Sequence, residues 1–354
     1  MKSIAVTGYF ATGSGAVYNL LQEYCSVDDG GLSAYEHLFL YDVNGVFETI
    51  DRILYNNSLY NSNAAINAFR REMQRLNNID FGWFGGYRYM CENQFMDIIE
   101  EFITEITQYR IDREWYGIYE DRKLKAGRIV RDAASIMLGR RKLTRNFGTA
   151  IELSRGNRGE FSFADETTLK EATKKLVSKY LNIMYPETDK TIILNHMLSP
   201  QDAHRVPGYM PEDMKLIIVD RDIRDLYVYN KYTKIWGDST FPTDLDDFIR
   251  FTKSYRATER PVESDRILRI RFEDLIYHYD QTVEKIEAFA QLSPDDHIAK
   301  KTKLVPERSI KNTQVYRMNS AWAEEIRGIE QELPEYVYPF PYHSDTSASD
   351  LFDA

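Results

Sequence analysis

Along the chain, short apolar runs alternate with longer stretches whose apolar positions recur every three or four residues. Three runs, Ile4-Ala5-Val6, Thr191-Ile192-Ile193-Leu194 and Leu216-Ile217-Ile218-Val219, have the unbroken, β-branched character of strands buried on both faces of a parallel sheet. Each is followed by helical periodicity. A fourth, Ile267-Leu268-Arg269-Ile270, precedes a helix expected over Tyr279 to Ala290. Such alternation predicts an α/β fold, doubly wound or three-layered around a central parallel sheet.

The stretch from about residue 50 to 185 breaks this rhythm. Ala64 to Leu76, Asn93 to Tyr109 and Thr167 to Tyr185 carry helical spacing, and Phe95, Ile98, Ile99, Phe102, Ile103 and Ile106 fall on one stripe. A core-facing helix accounts for that stripe, and the region reads as a helical insertion near the sheet edge where open α/β sheets bind ligands. Residues 1–342 then form a single α/β domain with an insertion at about 50–185. The small, polar and acidic residues 343–354 read as a disordered tail.

Composition narrows the function. The 354 residues are 43% hydrophobic and carry a net charge of −10, a poor match for a nucleic-acid backbone, so an anionic ligand would need a local basic cluster. Two cysteines, Cys25 and Cys91, suit neither a disulfide framework nor a cysteine-rich zinc site. No run approaches the roughly twenty apolar residues that span a bilayer, and the expectation is a cytoplasmic protein.

Two segments carry candidate chemistry. The first, Gly8-Tyr9-Phe10-Ala11-Thr12-Gly13-Ser14-Gly15, joins the first strand to a helix expected over Ala16 to Tyr24. Glycines permit a tight turn whose N–H groups face an anion, and Thr12 and Ser14 add hydroxyl donors. The spacing of Gly8 and Gly13 is that of a nucleotide-binding P-loop, but Ser14 stands where its lysine belongs, which counts against an ATPase or kinase. The second segment, Leu216 to Asn230, ends its strand in Asp220-Arg221 and starts a helix near Asp222 to Asp225. Arginine at a strand's carboxyl end can grip two phosphate oxygens with its planar fork.

With these residues the sequence resembles the sulfotransferases that use 3′-phosphoadenosine 5′-phosphosulfate (PAPS), in particular the bacterial ones acting on carbohydrates and other small acceptors. Val219 to Tyr229 follows the family's 3′-phosphate motif, Val-x-Arg-Asp/Asn-Pro-Arg-Asp-x-x-x-Ser. Arg221 takes the place of the phosphate-binding arginine, Ile223 replaces the proline, and Tyr229 stands at the serine, which shifts that contact to its phenol or to Asn230. Leu268 to Leu275 is similar to the family's Arg-Tyr/Phe-Glu-Asp-Leu junction, and Pro306 to Asn312 to its late Ser-x-x-Asn loop, pointing to Ser309, Lys311 and Asn312 as nucleotide contacts. These four islands cover a small part of the chain but occur in the family's order.

The resemblance implies a three-layer P-loop-like fold, PAPS as co-substrate, PAP as product, and no metal. The nucleotide contacts it implies are Gly8, Ala11, Thr12, Gly13, Ser14, Gly15, Arg221, Tyr229, Ser309, Lys311 and Asn312. Ala11 departs from the family, which carries a lysine or arginine there to steady the leaving phosphate; Arg224, Arg308, Lys311 and Arg317 are the candidate substitutes. Two residues compete as general base: Glu36, in the region where several carbohydrate-directed sulfotransferases carry a glutamate base, and His196, whose Leu194-Asn195-His196 resembles the Lys-Thr-His of cytosolic sulfotransferases, a histidine that the bacterial relatives tend to replace. Glu92 and Asp97 are reserves. The expected acceptor is a hydroxyl on a carbohydrate or glycolipid, an anionic glycan or lipid-linked sugar included. Basic residues over Arg122 to Arg145 would dock it or touch a membrane surface, and aromatics over Phe81 to Tyr89 would stack on sugar. The competing functions are a non-catalytic PAP-binding protein and a kinase-like enzyme.

Overall fold

In a computed structural model of the protein, the described residues are 1–32, 35–116, 137, 155–186, 188–233 and 241–343. Apart from Met137, the basic stretch expected over Arg122 to Arg145 lies outside them, as does the tail beyond His343. The chain starts with β1 (Ser3–Gly8), α1 (Ser14–Leu21) and the two-residue β2 (Val27–Asp28). It continues through α2 (Val46–Tyr55), α3 (Leu59–Asn78), α4 (Phe95–Ile106), β3 (Tyr109–Tyr116), β4 (Arg155–Phe161) and α5 (Glu166–Met184). Then come β5 (Thr191–Asn195), β6 (Met214–Asp220), α6 (Ile223–Val228), α7 (Leu245–Ala257) and β7 (Ile267–Arg271). The last helices are α8 (Phe272–Tyr277), α9 (Tyr279–Ala290), α10 (Pro306–Ser309) and α11 (Ala323–Glu332).

The protein is a mixed α/β structure with a central five-stranded parallel sheet in the order β2-β5-β1-β6-β7. Every residue of β1 is buried, as the unbroken run of small and β-branched residues requires. Ile4, Val6, Ile193, Ile217 and Val219 project from one face into a core shared with Val17, Leu20 and Leu21 of α1 and with Leu275, Val283 and Ile286 of α8 and α9. Burying each such side chain contributes about 1.5–3 kcal/mol. The register sets Gly8 beside Val219 and Asp220 beside Arg271, so the carboxyl ends of β1, β6 and β7 finish together.

By packing, the chain divides into two compact units: residues 1–38 with 184–354, which hold this sheet, and residues 39–183. The second, Phe39–Ile183, is inserted in the sequence of the first. Its core is aromatic. All six residues of the apolar stripe are buried along α4, and Phe95 stacks on Tyr87 at 4.3 Å while meeting Phe39 edge-on at 5.9 Å. Tyr180 of α5 packs on Phe39 at 4.7 Å. The described part of this unit is mostly helical, as expected, and also holds an antiparallel hairpin of β3 and β4, which pairs Tyr109 with Phe161. Helix α4 therefore stops at Ile106 instead of running on to Tyr109. Among the described residues no helix is long and apolar enough to cross a membrane.

Candidate functional site

The site is built on the carboxyl edge of the parallel sheet. Beyond Gly8 the backbone turns through left-handed conformations at Phe10 (φ +71°), Ala11 (φ +54°) and Gly13 (φ +89°). Thr12 closes the turn: its buried hydroxyl donates to the Val219 carbonyl at 2.7 Å and accepts from the Tyr9 N–H at 3.0 Å. That hydroxyl proton is committed to holding the loop on β6, so Thr12 serves the loop's shape rather than donating to a phosphate. Glycine is required at two positions. A Cβ on Gly8 would come within 2.2 Å of Thr12 Oγ1, and one on Gly13 within 2.5 Å of the Phe272 ring. No side chain caps α1, so the helix opens at Ser14 and the exposed Gly15 with backbone donors available to an anion.

Beside the loop, β5 ends in Asn195 and the chain turns at His196, itself left-handed (φ +45°). Its Nε2 lies 3.1 Å from Ser14 Oγ and its Nδ1 3.4 Å from Thr7 Oγ1, so both ring nitrogens sit against hydroxyls. Burial holds the imidazole below its ordinary pKa and hence neutral. Glu36 was expected near a strand edge. It forms an isolated parallel bridge with Asn195, one residue from His196, so the fold brings both candidate bases to the same strand end. Desolvation raises the Glu36 carboxyl above the usual carboxylate range. Among the described residues that carboxylate has no hydrogen-bond or ion-pair partner, whereas His196 is held from both sides.

Across β1, Arg221 follows β6 and is only 5% exposed. Its guanidinium donates to the Ala11 carbonyl at 3.4 Å and to the Asn312 carbonyl, and it lies 4.4 Å from the Tyr229 ring centre and 4.9 Å from that of Phe272. The Tyr229 phenol donates to the same Asn312 carbonyl at 3.0 Å. Two buried polar atoms here lack partners, Arg221 Nε and Asn312 Oδ1. Arg221 thus ties together the glycine loop, β6 and the late loop, which the sequence could only place in order. Ser309 and Lys311 are half-buried beside Asn312. Asn230 is not available to a phosphate, because its amide donates to the Phe241 and Pro242 carbonyls at 2.9 and 3.0 Å.

Of the four candidate substitutes for the missing loop lysine, Arg224 is excluded. It is buried, forks onto Asp222 at 2.7–3.2 Å, and reaches Glu330 at 2.6 Å and the Tyr338 carbonyl at 3.0 Å. Arg317 is exposed and bonded to the Tyr316 phenol and to His343. Arg308 is exposed, and Lys311 half-buried.

Sequence reasoning missed how the walls are held. Asp225, fully buried, accepts the N–H groups of Gln314 at 2.9 Å and Tyr316 at 3.1 Å, which fastens the late loop to α6. Glu273, also fully buried, accepts the Asp222 N–H at 2.8 Å. Burial and the neighbouring Asp222 push the Glu273 carboxyl up to about 8 and raise that of Asp225 as well. Asp220 pairs with Arg256 at 2.6 Å and Arg271 at 3.5 Å, and Arg256 lies 3.3 Å from the centre of the Tyr9 ring. At the far end of α1, Glu23 takes the backbone N–H groups of Lys301, Lys303 and Leu304 at 2.8–3.0 Å and His297 Nε2 at 2.7 Å. The repeated acid–arginine pattern around 220–225 was the visible signal for this lattice.

The remaining expectations concern the inserted unit. Phe81, Trp83 and Tyr89 are exposed, while Tyr87 is buried. Glu92 and Asp97 also belong to that unit. Among the described residues no group of three or more His, Cys, Asp or Glu side chains could hold a metal ion.

No protein-family model matches the chain, and no curated protein matches it. Among solved structures, a sulfotransferase domain from the curacin biosynthetic pathway is a distant neighbour, 12% identical with a TM-score of 0.41, over 96% of this chain and 99% of that one.

Proposed function

We propose that the protein is a sulfotransferase that moves the sulfuryl group of PAPS to an acceptor hydroxyl. The observation that carries this reading is Arg221. A buried guanidinium with an unpartnered Nε–H donor stands at a strand's carboxyl end, in contact with a left-handed glycine loop and with the late loop around Asn312. A buried polar atom without a partner costs about 1–3 kcal/mol, which a bound ligand recovers. Donors from a loop, a helix N-terminus and an arginine suit a ligand with two separate phosphate groups.

In the reaction, the acceptor oxygen forms a bond to sulfur as the bond from sulfur to the bridging 5′-phosphate oxygen breaks. PAP leaves with that electron pair, and the acceptor proton passes to a base. The loop N–H groups and Ser14 hold the phosphosulfate end, while Arg221, Ser309, Lys311 and the Asn312 amide hold the 3′-phosphate end and the Tyr229 ring packs on Arg221. With Ala11 in the loop, the charge growing on the leaving group falls to backbone dipoles and to Lys311 or Arg308. Glu36 is the preferred base, since its carboxylate is desolvated and uncommitted, and His196 is the alternative. A kinase-like reading is disfavoured by Ser14 at the lysine position.

Calorimetry tests the assignment. PAP should bind more tightly than AMP or ADP, and Arg221→Lys, which keeps the charge but loses the fork, should weaken PAP by about tenfold or more. Equal affinities for PAP and AMP would sink it. Turnover of labelled PAPS separates an enzyme from a protein that only binds PAP.

A further inference from the structure

His196 has two hydroxyl neighbours, and together they decide which of its ring nitrogens carries the proton. On one side stands Thr7 of β1, only 1% exposed. Among the described residues the Thr7 hydroxyl has one hydrogen-bond partner, His196 Nδ1 at 3.4 Å. On the other side, at the start of α1, the half-buried Ser14 Oγ lies 3.1 Å from Nε2. The backbone beneath the ring is pinned: the His196 N–H donates to the Val6 carbonyl at 2.9 Å, at a left-handed φ of +45°. Two proton arrangements fit these contacts. With the proton on Nδ1, that nitrogen donates to Thr7, and the buried Thr7 proton is left without an acceptor, a costly state. With the proton on Nε2, Thr7 donates to Nδ1, Nε2–H donates to Ser14 Oγ, and the Ser14 proton is left for a partner outside the protein. Both arrangements need a neutral ring, which burial of the imidazole favours.

We infer that Thr7, His196 and Ser14 form a one-way chain of donors that presents the Ser14 proton to an oxyanion in the glycine loop, with Thr7 and His196 as positioning residues. The chain ends where α1 opens without a side-chain cap, so its last proton and the first helical N–H groups converge on one place. Hydrogen bonds in series polarise one another, which makes that proton a stronger donor than the hydroxyl of a lone serine. It stands beside a loop whose Ala11 supplies no charge. The opposite direction would have Nε2 accept from Ser14 and prime the serine as a nucleophile; the buried Thr7 hydroxyl opposes it. His196 Nε2 is then engaged as a donor and does not take the acceptor's proton, which leaves that step to Glu36. This last point rests on the sulfotransferase reading; the donor chain itself needs only an anion in the loop.

Imidazole ¹⁵N NMR at neutral pH reads the tautomer directly, with the His196 signals assigned by their loss in His196→Asn. The wild type should show a protonated Nε2 and a bare Nδ1; a protonated Nδ1 overturns the inference. Calorimetry with PAP and with inorganic pyrophosphate reads the donor. Ser14→Ala should weaken both ligands about tenfold. Thr7→Val should weaken them about threefold, but cost nothing further when Ser14 is already alanine, because the two residues act through one chain. Thr7→Ser, which restores the hydroxyl, should restore affinity. Additive losses from Thr7→Val and Ser14→Ala, or affinities untouched by Ser14→Ala, overturn the chain, as does failure of both ligands to bind. If the coupling holds while PAP binds no tighter than pyrophosphate, the sulfuryl-transfer reading fails and the donor chain stands.

Discussion

The two units of the chain are held together by different means. In the inserted unit, rings and aliphatic side chains do the work, with Phe95 seated between Phe39 and Tyr87 and the whole stripe of α4 buried. At the carboxyl edge of the parallel sheet, buried polar and ionisable groups do it. Arg221, Arg224, Asp222, Asp225 and Glu273 are each no more than 6% exposed, and most of them grip backbone groups of other segments. Apolar contacts are non-directional and tolerate small shifts, whereas a charged hydrogen bond fixes a particular atom. The contrast teaches where stability is made and where a loop must be held in one place.

Four experiments press on that contrast. The largest effect should come from the base: Glu36→Gln should lower single-turnover rates by about 10²–10⁴-fold with PAP affinity and melting temperature kept. His196→Asn should give a milder defect with some loss of stability. The reverse pattern would move the base to His196, and near-normal rates for both would reject both. Phe95→Ala should cost about 3–5 kcal/mol in chemical denaturation, yet leave PAP affinity of the folded protein unchanged. A parallel loss of PAP binding would break the division of labour.

Glu23→Gln should cost about 1–3 kcal/mol, since an amide N–H₂ then faces backbone donors. Faster hydrogen exchange confined to residues 301–304 is the signature to look for, and uniform exchange would refute it. A fourth measurement concerns pH. The Glu273 carboxyl has a value of about 8 in the fold, above its ordinary 4.5, so the native state keeps a proton that the unfolded chain has already released. Its contribution is fully present below the ordinary value and is lost as pH rises through about 8. Melting temperature should therefore fall from about pH 4.5 to about 8 and level off above, and Glu273→Gln should flatten that slope. An unchanged slope would place the titration elsewhere.

Much of the frame was legible because its elements are locally consistent. The four strand runs are unbroken apolar segments, and α9 spans Tyr279–Ala290 as its spacing predicts. The hairpin of β3 and β4 was not legible: Arg110, Asp112, Arg113 and Glu114 mask the alternation of a strand, and the ladder itself slips between Ile111 and Glu114. In the site, Arg221 and Arg224 look equivalent in sequence, three residues apart in one motif. Only the fold separates them, giving one an unpartnered nitrogen beside the loop and the other a full set of acceptors. Thr12 is the same kind of case, a hydroxyl suited to phosphate by type and removed from that use by the Val219 carbonyl.

The grip of Asp225 on Gln314 and Tyr316 has a kinetic consequence. Because one carboxyl bonds both N–H groups, the late loop and α6 share one opening event. On the sulfotransferase reading proposed above, encounter with a nucleotide would then need no folding of the loop around it. Association should follow a single exponential whose rate grows linearly with nucleotide concentration, without the plateau that a slow closing step imposes, and differences among nucleotides should appear in how long each one stays.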